Sequence, residues 1–285
     1  MQVMTELDVV RRVAELRARI AAWRGQGLRI GLVPTMGALH KGHFSLIRRS
    51  VETTDRTIVT LFVNPRQFGP NEDFARYPRN EAQDAAEIAA RGAHLLFAPE
   101  TLEMYPPGAV TTVTVPGLGD MLEGEFRPGF FAGVATVVTK LLIQSLPDSA
   151  FFGEKDYQQL LVVKRLAADL DLPVAIVGCP IVREPDGLAL SSRNAYLDTA
   201  ERARAPALNR VLTAAAAQVR QGGDAARAEA EAREQLLGAG FAKVDYVAAR
   251  DAATLGPVSD PAAARVLGAA WLGRTRLIDN VAVGA

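Results

Sequence analysis

Short apolar, β-branched runs alternate with segments of helical periodicity along the first two-thirds of this chain, and that alternation constrains the fold more than any other feature. Val9, Val10, Val13, Leu16 and Ile20 recur at helical spacing, which predicts an amphipathic helix at the start. Residues 28–34 (LRIGLVP) read as a buried strand, and Pro34, Gly37 and Gly42 punctuate the turn after it. Phe44, Leu46, Ile47 and Val51 predict a helix, 57–63 a second strand, 81–90 a helix and 95–98 a third strand. Residues 105–116 read as a loop followed by an extended strand of alternating Thr and Val. Helical spacing over 134–146, a strand at 150–152, a helix at 157–170 and a strand at 174–177 complete the series. Such alternation implies an α/β fold, a parallel sheet covered by helices on both faces.

Beyond Tyr196 the composition shifts. Residues 199–222 and 224–238, rich in Ala, Arg and Glu, read as two helices, and 244–248 and 265–272 as strands. The expected organisation is therefore a parallel-sheet domain over 1–180 and a smaller α+β domain over 181–285.

Charge and cysteine usage exclude several classes. Lys plus Arg balance Asp plus Glu, 32 against 32, which argues against nucleic acid as a partner. The single cysteine, Cys179, can form neither an internal disulfide nor a thiolate zinc site, so a reducing, cytoplasmic setting is expected. Charges throughout the first 26 residues leave no signal-type apolar run, and no stretch approaches the roughly 20 apolar residues of a membrane span.

In open parallel sheets ligands bind outside the carboxyl ends of the strands, where helix N-termini point. The chemically rich tracts fall at such places. His40-Lys41-Gly42-His43 puts two of the chain's three histidines at a strand-to-helix turn. Gly42 permits close approach of backbone, and two imidazoles beside free helix N–H groups can donate to phosphate oxygens as charge builds on leaving pyrophosphate. Gly153-Glu154-Lys155-Asp156 offers a point charge on Lys155, although a surface turn with Asp156 as helix cap is the plainer reading of that tract alone. Ser191-Ser192-Arg193-Asn194 combines hydroxyls and a guanidinium that suit polyphosphate, and equally describes a solvated turn. Gln67, in Asn64-Pro65-Arg66-Gln67-Phe68, can both donate to and accept from a hydroxy acid, or simply bond backbone. His94, opening a strand, reads as structural. The chain carries no GxxxxGK[ST] loop, no GxGxxG fingerprint opening its first helix and no GxSxG elbow.

Taken in order, PTMGALHKGHFSLIRRS (34–50), FVNPRQF (62–68), EGEFRPGFFAGVATVVTKLL (123–142), FFGEKDYQQL (151–160), REPDGLALSSRNAYL (183–197) and RLIDN (276–280) resemble the pantothenate synthetase family along nearly the whole chain. The resemblance implies a Rossmann-like first domain, a smaller C-terminal lid domain, a homodimer and membership of the adenylyl-transferring superfamily marked by the HxGH motif. It implies ATP contacts from Met36, Gly37, Ala38, Leu39, His40, Lys41, Gly42, His43, Gly153, Glu154, Lys155, Asp156, Val182, Leu190, Ser191, Ser192 and Arg193. It implies pantoate contacts from Gln67 and Gln159, with Gln67 also near β-alanine and Asn64 a further contact, and catalytic parts for His43, His40 and Lys155. The implied reaction joins pantoate to β-alanine through a pantoyl-adenylate, with ATP as substrate, Mg²⁺ bridging its phosphates through ligands the sequence does not reveal, and AMP and pyrophosphate as products. Phe130 stands where the family commonly has His, and Leu190 where it commonly has Met. Two other readings are a nucleotidyltransferase of the same superfamily, which would keep AMP in its product, and a nucleotide-binding protein without turnover, which would survive loss of His43 and Lys155.

Overall fold

The computed structural model describes residues 7–70 and 72–284. The chain divides into two compact units. One runs through Glu154 and resumes over Val162–Pro180, and the other combines Lys155–Leu161 with Ile181–Ala285.

The first unit is built on a six-stranded, all-parallel sheet of order β1-β4-β3-β2-β5-β6. Its strands are β1 (Asp8–Val10), β2 (Ile30–Thr35), β3 (Arg56–Leu61), β4 (Leu95–Phe97), β5 (Ser149–Gly153) and β6 (Ala175–Cys179). Its helices are α1 (Val13–Arg24), α2 (Lys41–Thr53), α3 (Glu81–Ala90), two short turns α4 (Thr101–Met104) and α5 (Glu123–Phe126), α6 (Phe130–Ser145) and the greater part of α7 (Tyr157–Asp169). The sheet interior is mainly apolar, as a parallel sheet covered by helices requires. Val33, Val59, Leu96 and Phe151 pack with Leu46 and Ile47 of α2 and Ile88 of α3 in one cluster. Each such fully buried aliphatic side chain stabilises the fold by about 1.5–3 kcal/mol. The strand order reverses between β2 and β5, which puts a topological switch point at their carboxyl ends. At Gly31 in β2 a Cβ would lie 2.2 Å from Ser50 Oγ, so the absence of a side chain lets α2 seat directly on the strand.

The second unit holds α9 (Ala207–Arg220) and α10 (Ala225–Gly238), preceded by the short α8 (Thr199–Arg204), against an antiparallel sheet of order β7-β8-β9 (Lys243–Asp251, Ala264–Leu272 and Thr275–Ala282). Leu208, Val211, Leu212 and Leu236 pack on Val244, Val266, Ala270 and Leu277 to make its core.

Three sequence expectations are corrected, and one strand was not foreseen. Val9 and Val10 lie in strand β1, paired with the edge of β4, and the first helix begins only at Val13. Residues 110–116 form no sheet strand; side chains take the place of a ladder, with Arg66 donating to Ala109 O and Thr111 O and Thr136 Oγ1 accepting from Val113 N. The helix expected over 199–222 is two helices, because Pro206 has no N–H to continue the first. Strand β9 escapes a pattern reading of the sequence, because Arg276, Asp279 and Asn280 break its apolar alternation.

Candidate active site

The turn from β2 into α2 is fixed from two sides, by Thr35 and by Asp84. Thr35, the last residue of β2, donates its hydroxyl to Thr60 O at 2.6 Å and accepts Gly37 N–H at 3.3 Å. Gly37 then takes φ +85° and Ala38 φ +52°. Buried Asp84, in the first turn of α3, accepts Ala38 N–H on Oδ2 at 2.9 Å and Leu39 N–H on Oδ1 at 3.0 Å. The sequence does not disclose this clamp, since a lone Asp 46 residues downstream carries no spacing signal.

His40 is the N-cap of α2, and its Nδ1 accepts Gly42 N–H at 3.1 Å. His43 Nδ1 accepts His40 N–H at 3.3 Å. The imidazoles thus replace the hydroxyl and carboxylate of an ordinary capping box. Because both Nδ1 atoms accept backbone protons, the neutral rings carry their proton on Nε2. The ring centroids lie 4.1 Å apart. The result is a pair of Nε2–H donors at a helix N-terminus, where the helix dipole also favours an anion.

At the end of β3, Asn64 caps the short 3-10 turn Pro65–Gln67. Asn64 and Gln67 are buried. Asn64 Nδ2 donates to Gln67 Oε1 at 3.0 Å and to Gly133 O at 3.1 Å, and Gln67 Nε2 reaches Met36 Sδ at 3.1 Å. Gln67 thereby meets the 36–43 turn within the first unit. Arg127 donates to Gln67 O and pairs with Glu72 and Glu123, while its guanidinium carbon sits 3.7 Å from the Phe130 ring centroid. Where the resemblance leads one to expect an imidazole, this chain has a cation–π partner for Arg127.

Gly153 closes β5 and Glu154 follows it, both in the first unit at the switch point. The remaining expected residues belong to the second unit. Lys155 Nζ lies 3.9 Å from Asp156 Oδ2, Lys155 O accepts from Asn280 Nδ2 at 3.0 Å, and Gln159 lies in the first turn of α7. Val182 O accepts Leu190 N–H beside the Arg183–Ala189 bridge, and Ser191 Oγ caps the 3-10 turn Ser192–Tyr196 by accepting Arg193 N–H. Asp279, in the late RLIDN tract, binds Arg183 through both carboxylate oxygens at 2.7 and 2.9 Å.

His94 lies at the other end of the sheet. Its Nδ1 accepts Thr57 N–H at 3.1 Å and its ring meets Trp23 edge-on; burial, then the Arg56 charge, holds it below the ordinary histidine range. Among the described residues no cluster of three or more His, Cys, Asp or Glu could hold a metal. No helix among them is long and apolar enough to cross a membrane.

The family model described as pantoate-beta-alanine ligase matches residues 8–282. The pantothenate synthetase of Paramagnetospirillum magneticum is 59% identical over 280 residues, covering 98% of this chain and 99% of that protein. The crystal structure of pantothenate synthetase from Thermus thermophilus superposes with TM-score 0.91 at 47% identity, over 98% of this chain and all (100%) of that one. The Francisella tularensis pantoate-beta-alanine ligase, complexed with beta-gamma ATP and beta-alanine, superposes with TM-score 0.83 at 33% identity, over 98% of each chain. With its fold and nearly its whole length matched in this way, the chain belongs to the pantoate–beta-alanine ligase family.

Proposed function

We propose that this enzyme condenses pantoate with β-alanine at the expense of ATP, through a pantoyl-adenylate, and releases AMP and pyrophosphate. The observation that carries the reading is the pair of Nε2–H imidazole donors at the N-terminus of α2, set at the carboxyl end of β2 in a chain of this family. The Francisella relative's complex with beta-gamma ATP and beta-alanine supports it.

In the first step a pantoate carboxylate oxygen attacks the α-phosphorus, and the bond to the pyrophosphate oxygen breaks. Positioning and charge stabilisation dominate such chemistry. His40 and His43 donate to the phosphate oxygens that gain charge, assisted by the dipole of α2. Gln67 holds pantoate. On the resemblance alone, Gln159 adds to the pantoate contacts, Lys155 and Ser191 to Arg193 bind phosphates, and Met36 to Leu39, Lys41, Gly42, Gly153, Glu154, Asp156, Val182 and Leu190 line ATP. In the second step the neutral β-alanine amine attacks the acyl carbon, loses a proton as the C–N bond forms, and AMP leaves. Hydrolysis of the mixed anhydride competes, so exclusion of water protects the intermediate.

Among the described residues no group of three or more His, Cys, Asp or Glu offers Mg²⁺ a cage built by the protein. The carboxylate nearest the ATP turn, Asp84, has both oxygens engaged by backbone N–H groups. We therefore take Mg²⁺ to arrive on the ATP phosphates and assign it no step. A homodimer and a cytoplasmic location belong to the same proposal and are carried by the resemblance.

The test is release of AMP and pyrophosphate from ATP–Mg²⁺ with pantoate, with and without β-alanine. The expected result is AMP that requires both acid and amine, and near-complete loss of it in His43→Ala. Pyrophosphate without AMP would mark a nucleotidyltransferase instead.

A further inference from the structure

The side chain of Gln67 can face a ligand in two ways, with its N–H₂ or with its C=O, and its neighbours decide between them. Asn64 is pinned at both ends by groups whose polarity is fixed. Its Oδ1 accepts the backbone N–H of Arg66 at 3.3 Å, and its Nδ2 donates to the backbone carbonyl of Gly133 at 3.1 Å. A flipped Asn64 would set oxygen against carbonyl and N–H₂ against N–H, so only one orientation satisfies both ends. The second proton on Nδ2 therefore points at Gln67, which must answer with Oε1, at 3.0 Å. That leaves Gln67 Nε2 directed away from Asn64, toward Met36 Sδ, a weak acceptor that a ligand oxygen displaces readily. Tyr105 adds a third lock by donating its hydroxyl to Asn64 Oδ1 at 2.9 Å. Arg66 holds Tyr105 in place, its guanidinium carbon 4.1 Å from the ring centroid and its N–H groups on Ala109 O and Thr111 O. Burial, only partly opposed by the Arg66 charge, pushes the Tyr105 phenol up to about 12, which keeps it a donor across the physiological range.

We propose that Tyr105 and Asn64 are positioning residues that fix the polarity of Gln67, so that the acid-substrate pocket presents an amide N–H₂ and selects an oxygen acceptor, the carboxylate or hydroxyl of a hydroxy acid. This rests on the assignment of pantoate to Gln67. Asn64 acts through Gln67, since its own amide is engaged at both ends. The selection is one of sign: an amide fixed as donor attracts an anionic oxygen, and the same amide turned round repels it.

The relay makes a prediction that a merely structural Asn64, or one that touches substrate directly, does not. Asp at position 64 has no N–H₂, so Gln67 must turn and donate Nε2 to the new carboxylate, presenting its C=O to the substrate. Gln67→Ala then removes a favourable contact from the wild type but a repulsive one from Asn64→Asp. The experiment measures KM for pantoate and for ATP in AMP formation by the full chain, for wild type, Gln67→Ala, Asn64→Asp and the double variant, with thermal midpoints as a fold check. Turnover by the wild type tests the proposed reaction, and the coupling between the substitutions tests the relay. The expected result is a rise of about tenfold or more in KM for pantoate in each single variant, and no further rise, or a fall, when Gln67→Ala is added to Asn64→Asp. Losses that multiply would overturn the relay. Tyr105→Phe supplies a second arm that keeps the packing of the ring. Loss of one donor from the network is expected to raise KM for pantoate about threefold to tenfold with KM for ATP unchanged. An unchanged KM for pantoate would remove Tyr105 from the relay.

Discussion

Asp84 holds Ala38 in a left-handed backbone conformation: its Oδ2 lies 2.9 Å from Ala38 N, at a residue whose φ is +52°. That conformation costs a non-glycine residue roughly 1–2 kcal/mol, and it persists because a buried carboxylate receives two adjacent N–H groups. Asp84→Asn preserves shape but turns an N–H₂ toward one of them. The expected cost is about 1–3 kcal/mol in urea unfolding. Because the freed turn carries Met36 to His40, KM for ATP should rise about tenfold while KM for pantoate changes much less. A destabilised variant with unchanged KM for ATP would confine Asp84 to stability.

His40 has two separable duties, and two substitutions divide them. Its Nδ1 caps α2 and its Nε2–H faces away from the cap. His40→Asn can still accept Gly42 N–H, because Asn is among the best N-cap residues, but has no donor at the Nε2 position. His40→Ala loses both. Thermal denaturation should show the Asn variant near wild type and the Ala variant lower by about 1 kcal/mol. AMP formation should fall by a similar factor, about a hundredfold, in both. Retained activity in the Asn variant would show that capping, rather than donation from Nε2, is what the reaction needs.

The parallel sheet and the two histidines were legible because their signals are local. Apolar runs of strand length alternate with helical spacing, and His40 and His43 stand three apart beside Gly42. The supports of the individual turns within each unit were not legible, because each joins distant residues through backbone. Asp84 reaches Ala38, Gly133 O reaches Asn64 and Asn280 Nδ2 reaches Lys155 O, across 46, 69 and 125 residues. No periodicity encodes a side chain that binds another segment's peptide group. The same physics explains the missed strand β9, whose Asp279 and Asn280 are buried but fully engaged by Arg183, Arg265 and backbone, so polar residues occupy inward positions.

Asp245 gives the second unit an acid limit. Its side chain is only 2% exposed, with Arg276 Nε at 2.7 Å and Trp271 Nε1 at 3.0 Å on Oδ2 and the Lys243 ammonium at 2.8 Å. Burial pushes its carboxyl up, but the hydrogen bonds from Lys243, Arg276 and Trp271 together outweigh it and hold the group below the usual carboxylate range. A depressed folded value means that the unfolded chain takes up the proton first. The stabilisation is therefore complete above the unfolded value near 3.9 and is lost as pH falls through the lower folded value. Urea midpoints between about pH 2.5 and 6 should fall steeply for wild type below about pH 4. In Asp245→Asn they should be lower at neutral pH and flatter in acid. Parallel curves would exclude Asp245 as a source of the acid limit.

Gly133 tests whether close packing, rather than helix propensity, governs α6 beside the Pro65–Gln67 turn. A Cβ there would lie 2.2 Å from Arg66 O, 2.5 Å from Arg66 C and 2.7 Å from Gln67 N, all backbone atoms that cannot swing aside. Propensity alone predicts that Gly133→Ala in mid-helix stabilises by about 1 kcal/mol. Packing predicts the opposite, because either α6 or the Pro65–Gln67 turn must shift, at a cost of about 1–3 kcal/mol. The sign of the change in urea unfolding decides between them, and a loss is expected. The same shift stretches the bond from Asn64 Nδ2 to Gly133 O and moves Gln67 with it, so KM for pantoate should rise at least about tenfold while KM for ATP stays within about twofold. A stabilised Gly133→Ala with unaltered kinetics would mean that α6 and the turn give way freely, and that the position of Gln67 depends on contacts other than Gly133.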